Sequence, residues 1–455
     1  MEYKYIRNND SIGEKTEVFI AELYLFSLPF RQINLFSFLK SIIGSCAEWL
    51  PFGFHVIGML LWVLNKGGRI EIQKEKRRLI NSAFLLMTFL NVSSIIMAIN
   101  MQMIYGNLGD DNAFKGIAGM CIYFAQYFFM FLYNYRVFEL VSIQKIKKIL
   151  SWCCRVLLII GFLQVLVING IGIQIYDRLV FLGNINDSNH LFKLCLTGTE
   201  GASAGCIISI FVFPYLISQI IHGERYSIVE LILWTIPLYY TYSTTAYILA
   251  ALSIGFLIFF LIKHNDNRSK SLSTLIIVLF VVILLVLIIT STGILSNEQI
   301  DQIKYLLFEK ASDRENGSTI SRTIPLLVNW GAFTEYPLLG VGNGLQGYFY
   351  EKYFPQWAYN APGTDAGVYL ERSRQGISNS GVFIPGLLSG YGIVGCAAIL
   401  VFIWHCFQEH RKNRVFSDVF YYSGIISFIT FIIMGFQGDV YGMYYAWFMI
   451  SIPFI

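Results

Sequence analysis

The sequence predicts an all-α polytopic integral membrane protein, a helical bundle of about 12 transmembrane helices. Three observations carry that expectation. Only 14% of the 455 residues are charged, where an average soluble domain carries about 25%. Hydrophobic residues make up 55% and the mean hydropathy is +0.57. Apolar runs recur from one end of the chain to the other. A soluble globular enzyme is excluded, because so little charge would leave large apolar patches in water. Disorder and fibrous repeats are excluded by the absence of low-complexity tracts and by the 10 prolines.

Taken in order, the apolar runs fall at 18–30, 51–64, 80–99, 116–138, 149–168, 202–221, 227–240, 246–262, 272–290, 381–407, 419–436 and 441–455. The first is expected to continue past Pro29 into a partly embedded segment at 33–43, and 171–182 is apolar enough to dip into the interface. No cleavable signal peptide is expected, since the first run comes after a polar, mixed-charge stretch. Orientation is read from Lys and Arg in the short loops. Lys66, Arg69, Lys74, Lys76, Arg77 and Arg78 come after the second run, and Arg136, Lys145, Lys147 and Lys148 after the fourth. Lys263, Arg268 and Lys270 come after the eighth, and Arg411, Lys412 and Arg414 after the tenth. This alternation puts both termini in the cytoplasm. The chain then reads as one integral membrane domain, 1–455, with two long extracytoplasmic loops at 169–201 and 293–380.

The larger loop holds Trp330, Trp357, Phe333, Phe349 and Phe354, enough aromatic surface to fold as a cap. It opens with an amphipathic helix over 298–314, suited to lying on the membrane surface. A second helix is predicted over 320–333. It puts Arg322 and Asn329 on one face and Ile324, Leu327 and Gly331 on another, and Pro325 suits only its first turn. The glycines at 340, 342, 344 and 347 then make a tight return. Polar groups also gather at span ends: TGTEGAS at 197–203, YTYSTT at 240–245 and SNSG at 378–381.

Each candidate group has two readings. Arg322 is either a surface or lipid-phosphate contact, or a planar guanidinium aimed at a diphosphate. Arg372 and Arg374 are either snorkelling interface residues or weaker candidates for the same task. Glu200 is either a favourable charge at a helix N-terminus or a base for a sugar hydroxyl. Lys193 pairs with it or with a phosphate. The hydroxyl cluster Tyr242, Ser243, Thr244 and Thr245 caps two helix ends in a tight hairpin or bonds sugar and phosphate oxygens. Trp330 offers a face on which a sugar ring can stack. His190 has no second ligand at metal spacing, so no metal site is expected. The run GVGNG lacks the lysine–serine pair of a nucleotide-binding loop and reads as turn glycine. The eight cysteines form no paired motif and read as small buried hydrophobes.

Four stretches together resemble the O-antigen polymerase (Wzy-type) and O-antigen ligase superfamily of bacterial membrane glycosyltransferases. LTGTEGASAG resembles its Glu-Pro-Ser segment before a span, and YSTTAYILAALSIG its Ser-x-Thr hairpin. SRTIPLLVNWGAFTEYPLLGVGNG resembles its Arg…Trp…Pro-x-x-Gly-x-Gly loop segment, and NSGVFIPGLLSGYGIVG its entry to the next span. The likeness covers roughly 190–400. Three positions depart from it: Cys195 stands where arginine is common, Gly201 where proline is usual, and Asn379 where ligases carry a histidine.

The resemblance implies a GT-C-like bundle in the bacterial inner membrane with its active site facing the periplasm. It implies an O-antigen polymerase that transfers a growing undecaprenyl-diphosphate-linked glycan onto a lipid-linked oligosaccharide repeat unit. Catalytic roles then fall to Glu200, Arg322 and Asn379. Substrate contacts fall to Lys193, Arg372, Arg374, Ser243, Thr244 and Trp330. No cofactor is implied, since the diphosphate ester carries the driving force. The implied partners are undecaprenyl-diphosphate-linked oligosaccharide, membrane lipid, a chain-length regulator and a flippase, with no nucleic acid. Alternatives are an O-antigen ligase, which the Asn379 departure disfavours, a capsular polysaccharide polymerase, and a lipid-linked oligosaccharide flippase. The flippase is disfavoured because the two halves show no repeat.

Overall fold

The computed structural model describes residues 12–30, 49–70, 72–107, 113–172, 186–188, 191–198, 201–264, 313, 317–359, 382–412, 418–436, 438 and 443–451. The expected embedded segment at 33–43, the ninth span at 272–290 and nearly all of the helix expected over 298–314 lie outside these residues.

The protein is an all-α membrane bundle. Its helices are α1 (Ile12–Ser27), α2 (Trp49–Asn65), α3 (Lys74–Tyr105), α4 (Ala113–Leu140) and α5 (Ile143–Ile168). After a two-stranded hairpin, Asn186–Ser188 with Leu191–Lys193, come α6 (Gly201–Ile221), α7 (Tyr226–Tyr240) and α8 (Thr244–His264). The long loop contributes α9 (Gly317–Glu335) and short turns over Gln346–Phe349, Tyr350–Tyr353 and Gln356–Tyr359. The last three helices are α10 (Phe383–Lys412), α11 (Asp418–Gly435) and α12 (Tyr444–Ser451). Among the described residues, five helices are long and apolar enough to cross a membrane: 76–105, α4, α5, α6 and 383–406. Shorter apolar helices cover Leu50–Asn65, Thr244–Phe260 and Phe420–Gly435.

The most apolar environment belongs to α6, whose spanning window is 94% buried. A helix apolar on every side belongs at the centre of a bundle. It packs against α7, α8 and α11. A π-helical stretch, Ile207–Val212, interrupts it just ahead of Pro214. Proline has no N–H to give the carbonyl four residues back. That carbonyl, of Ile210, is taken instead by the Ser427 hydroxyl of α11 at 2.7 Å. The rest of the bundle pairs α1 with α2, α3 with α4, α3 with α10, and α11 with α12.

Buried polar side chains tie these helices together. Tyr24 donates to Asn134 (2.8 Å), and Asn134 donates to Ser451 (2.8 Å), linking α1, α4 and α12. Glu17, fully buried, takes Arg136 Nε at 2.8 Å and Asn65 Nδ2 at 2.9 Å. The Arg136 guanidinium also lies 5.6 Å from the Trp62 ring centroid and bonds Glu139 at 3.2 Å. Cys153, Cys154, Cys195, Cys206 and Cys406 are buried, and Cys121 and Cys396 half-buried.

The long loop departs from expectation in three ways. Helix α9 begins earlier and ends later than 320–333, and Pro325 lies in its interior rather than its first turn. Its buried face is Ile320, Ile324, Val328, Asn329 and Ala332; the four apolar members share a cluster with Met97, Ala98 and Met101 of α3 and with Val341, Leu345 and Phe349 of the loop, and α9 lies against α10. Leu327 does not share that face; it is 40% exposed, beside exposed Leu326 and Trp330. Third, the glycine return is not an isolated turn. It docks on α10, which is broken at Gly392 (φ 61°, ψ −166°).

The break explains the docking. An unbroken helix would bond Ile393 N to Ser389 O and Val394 N to Gly390 O. Here Ile393 N donates to Pro337 O (2.8 Å) and Val394 N to Leu338 O (3.1 Å). The released carbonyls are taken by Val341 N (2.8 Å, Ser389 O) and Gly342 N (2.9 Å, Gly390 O). Two N–H groups and two carbonyls beside the break are therefore satisfied by the loop. Residue 392 must be glycine, for its φ is left-handed and a Cβ would strike the Leu338 carbonyl.

The Glu17–Arg136 pair gives a direct test. Replacing Arg136 with Leu strands a buried carboxylate and is expected to cost about 3–5 kcal/mol. The double replacement Glu17→Leu with Arg136→Leu should recover most of the loss. Thermal unfolding of the detergent-solubilised protein reads both.

Candidate functional site

Arg322 stands in the second turn of α9 and donates from Nη1 to the Thr245 hydroxyl at 3.2 Å. This contact brings the long loop to the N-terminal end of α8. The guanidinium is half-buried and Thr245 is 3% exposed. One hydrogen bond to a neutral hydroxyl satisfies only part of a guanidinium's five donors and none of its charge. The remaining capacity is what an anionic group would use.

The local chain builds the receiving end tightly. Helix α7 ends at Tyr240, and Thr241–Ser243 turn the chain into α8. Tyr242 takes a left-handed φ of 45° to make so short a connection. Ser243 caps α8, accepting from Ala246 N at 3.4 Å. Thr244 is the first residue of α8, half-buried beside it. The hairpin expected at 240–245 is thus present, with α8 starting two residues before the expected 246.

The segment before α6 meets the same hairpin. Leu194 N donates to Tyr240 O at 2.9 Å. Gln164 of α5 holds this turn, accepting from Cys195 N and Leu196 N and donating to Leu196 O at 2.8 Å. Thr197 donates to Pro29 O at 2.5 Å. Gly201 presses on the Thr241 carbonyl so closely that a Cβ has no room. This accounts physically for glycine at a position where the resembled family carries proline.

Of the residues picked from the sequence, Arg322, Ser243 and Thr244 are brought to one place, the start of α8. Lys193 ends the second strand, half-buried, one residue before the Leu194–Tyr240 bond. Trp330 lies two turns beyond Arg322 on α9, 58% exposed, its ring 5.6 Å from Phe333. Glu200, Arg372, Arg374, Asn379 and His190 lie outside the described residues. Among the described residues no group of three or more His, Cys, Asp or Glu is arranged to hold a metal ion.

Sequence reasoning did not single out Thr245 as the partner of Arg322, nor Gln164. It also missed a buried polar chain beneath α9, formed by Asn329, Asn343, Gln346 and Ser389. A signal was available for one member: Asn329 lies seven residues beyond Arg322, so both were expected on one face. Further along the loop, Lys352 Nζ and the Tyr353 hydroxyl bond Glu335 at 2.6 and 2.5 Å. Burial pushes the Glu335 carboxyl up, but these two donors outweigh it and hold it below its ordinary value. A lowered carboxylate stabilises above its unfolded pKa and loses that contribution as pH falls through the folded one. The end of α9 is therefore expected to loosen in acid, below the ordinary carboxylate range.

The family model described as O-antigen ligase matches residues 230–371. The match supports the O-antigen ligase/polymerase superfamily, whose members are membrane glycosyltransferase-like enzymes. It takes in Ser243, Thr244, Thr245, Arg322 and Trp330, and ends just before Arg372. Comparison with curated proteins gives no match.

Replacing Gly201 with Ala is expected to force α6 from the Thr241 carbonyl, at a cost of about 1–3 kcal/mol. The unfolding midpoint of the purified variant measures it, with Ala202→Gly as the comparison.

Proposed function

We propose that this chain is a membrane glycosyltransferase of the O-antigen ligase/polymerase type that works as a polymerase. It lengthens a glycan held on undecaprenyl diphosphate at the periplasmic side of the bacterial inner membrane. The observation that carries this reading is the half-buried Arg322, presented by α9 to the mouth of α8 within the matched region.

The chemistry asks little else of the protein. An acceptor hydroxyl on the lipid-linked repeat unit attacks the anomeric carbon of the donor glycan. A carbon–oxygen bond forms there as the bond to the diphosphate oxygen breaks. The leaving lipid diphosphate gains negative charge, and a planar cationic fork with spare donors is suited to receive it. The acceptor proton goes to a base, a role we give to Glu200, whose carboxylate is the suitable group in TGTEGAS. Lys193, Arg372 and Arg374 supply further positive charge, and Ser243 and Thr244 offer hydroxyls to phosphate or sugar oxygens. Trp330 presents a ring to the glycan. A chain-length regulator and a flippase are the partner proteins this reading allows for.

The ligase reading is favoured by the description of the matched family. Asn379 argues the other way, because an asparagine cannot take a proton at neutral pH where ligases carry histidine. Loss of the gene separates the two. Loss of a polymerase leaves lipopolysaccharide with a single repeat unit, loss of a ligase leaves finished polymer on its carrier lipid, and loss of a flippase traps units inside.

Arg322→Ala is expected to abolish long-chain glycan at normal protein levels, and Arg322→Lys to retain part of it. Gel analysis of the surface polysaccharide reads the result. A full-length ladder from Arg322→Ala would overturn the assignment.

A further inference from the structure

We propose that Asn329, Ser389 and Gln346 are positioning residues that set the rotation of α9 about its axis and so aim Arg322 at the mouth of α8. The proposal rests on the functional reading above for its consequence in transfer, and on geometry alone for the aiming.

Three separate pieces of chain contribute one side chain each. Gly344 N donates to Gln346 Oε1 at 2.9 Å. Gln346 Nε2 reaches the Ser389 hydroxyl at 3.3 Å and the Gly386 carbonyl at 3.1 Å. The Ser389 hydroxyl donates to Asn329 Oδ1 at 2.5 Å. The Asn329 amide donates in turn to the Pro325 carbonyl, 2.7 Å away. Asn329 is 1% exposed, and Gln346 and Ser389 are fully buried. The donors run in one direction from the glycine return, through the broken helix α10, to α9. Such a chain of bonds is polarised along its length and loses more than one bond when interrupted.

Beside this chain, the apolar part of the α9 interface sets no rotation. Ile320, Ile324, Val328 and Ala332 share one apolar cluster with Met97, Ala98 and Met101 and with Val341, Leu345 and Phe349 of the loop. Such contacts are non-directional and tolerate repacking. The Pro337 and Leu338 bonds to α10 hold only the far end of α9, and one residue of slippage turns an α-helix by roughly 100°, which would carry Arg322 away from Thr245. A buried polar residue can specify register in an apolar interface. Asn329 sits seven residues beyond Arg322, about 10 Å along the axis and near the same face. Ser389 belongs to the turn whose backbone already anchors the loop through Val341. The clamp therefore refers Arg322 to the body of the bundle.

The test uses the full-length protein in nanodiscs with its native cysteines replaced. Arg322→Cys and Thr245→Cys are joined by a short bifunctional thiol reagent, and the cross-linked fraction is measured with and without Asn329→Leu. This substitution keeps volume but removes the acceptor of the Ser389 hydroxyl, which retains only the Gly386 carbonyl at 3.2 Å, so a small fall in thermal stability is expected and is measured alongside. The cross-linked fraction is expected to fall several-fold. In the otherwise native chain, Asn329→Leu should slow glycan transfer on the order of 10–100-fold, as misplacement near a reacting group does. Ser389→Ala should reproduce both effects, and Ser389→Thr, which keeps the hydroxyl, should restore them. Should Asn329→Leu not accumulate, the serine pair reads the same link. An unchanged cross-linked fraction in Ser389→Ala or Asn329→Leu overturns the proposal, as does a transfer loss that merely tracks lost stability. Because cross-linking needs no activity, a failure of the polymerase reading would leave its outcome intact.

Discussion

A helix broken inside a membrane must find partners for the backbone groups it releases, because lipid supplies none. That constraint organises the half of this protein that carries the long loop. Gly392 turns out of the helical region, and the N–H groups of Ile393 and Val394 and the carbonyls of Ser389 and Gly390 bond outside α10. The loop after α9 supplies all four through Pro337, Leu338, Val341 and Gly342. A long loop that would otherwise be free over the bundle is joined to it by main-chain bonds, which are indifferent to side-chain identity and hard to remove by mutation.

The junction determines placement. Helix α9 enters it directly, so the Arg322–Thr245 contact is held from two directions, by the loop on one side and by the hairpin on the other. The same logic of satisfied polar groups runs through the molecule. The Ile210 carbonyl released by Pro214 is taken by Ser427, and Glu17 is met by Arg136 and Asn65. In each case an interruption or charge that would be costly in an apolar setting is answered by a neighbouring helix. Helix packing is thereby fixed in ways that apolar contact alone would leave degenerate.

The bundle was legible because its cause is compositional: apolar runs of helical length announce themselves, and α3, α4, α5, α6 and α10 fall on the runs at 80–99, 116–138, 149–168, 202–221 and 381–407. Arg322 was legible as a lone cation on a periodic helix, and the serine–threonine hairpin as a cluster of capping residues. Other features were not. Leu327 was assigned to a face with Ile324 because spacing alone cannot say which of two apolar stripes meets the protein. Pro325 was held to the first turn, yet it lies inside α9. The role of SGYG was invisible, since a glycine pair within an apolar run reads as continuous span until the chain that repairs the break is known. Thr245 was read only as one of a capping cluster because its partner lies 77 residues away.

Hydrogen exchange in the membrane-reconstituted protein tests the junction most directly, since exchange reports how often backbone bonds open. Amides at Val341, Gly342, Ile393 and Val394 should exchange as slowly as those inside the neighbouring helices. Exchange at the rate of an unstructured loop would contradict the account, for the segment carrying Arg322 would then have no fixed place on the bundle.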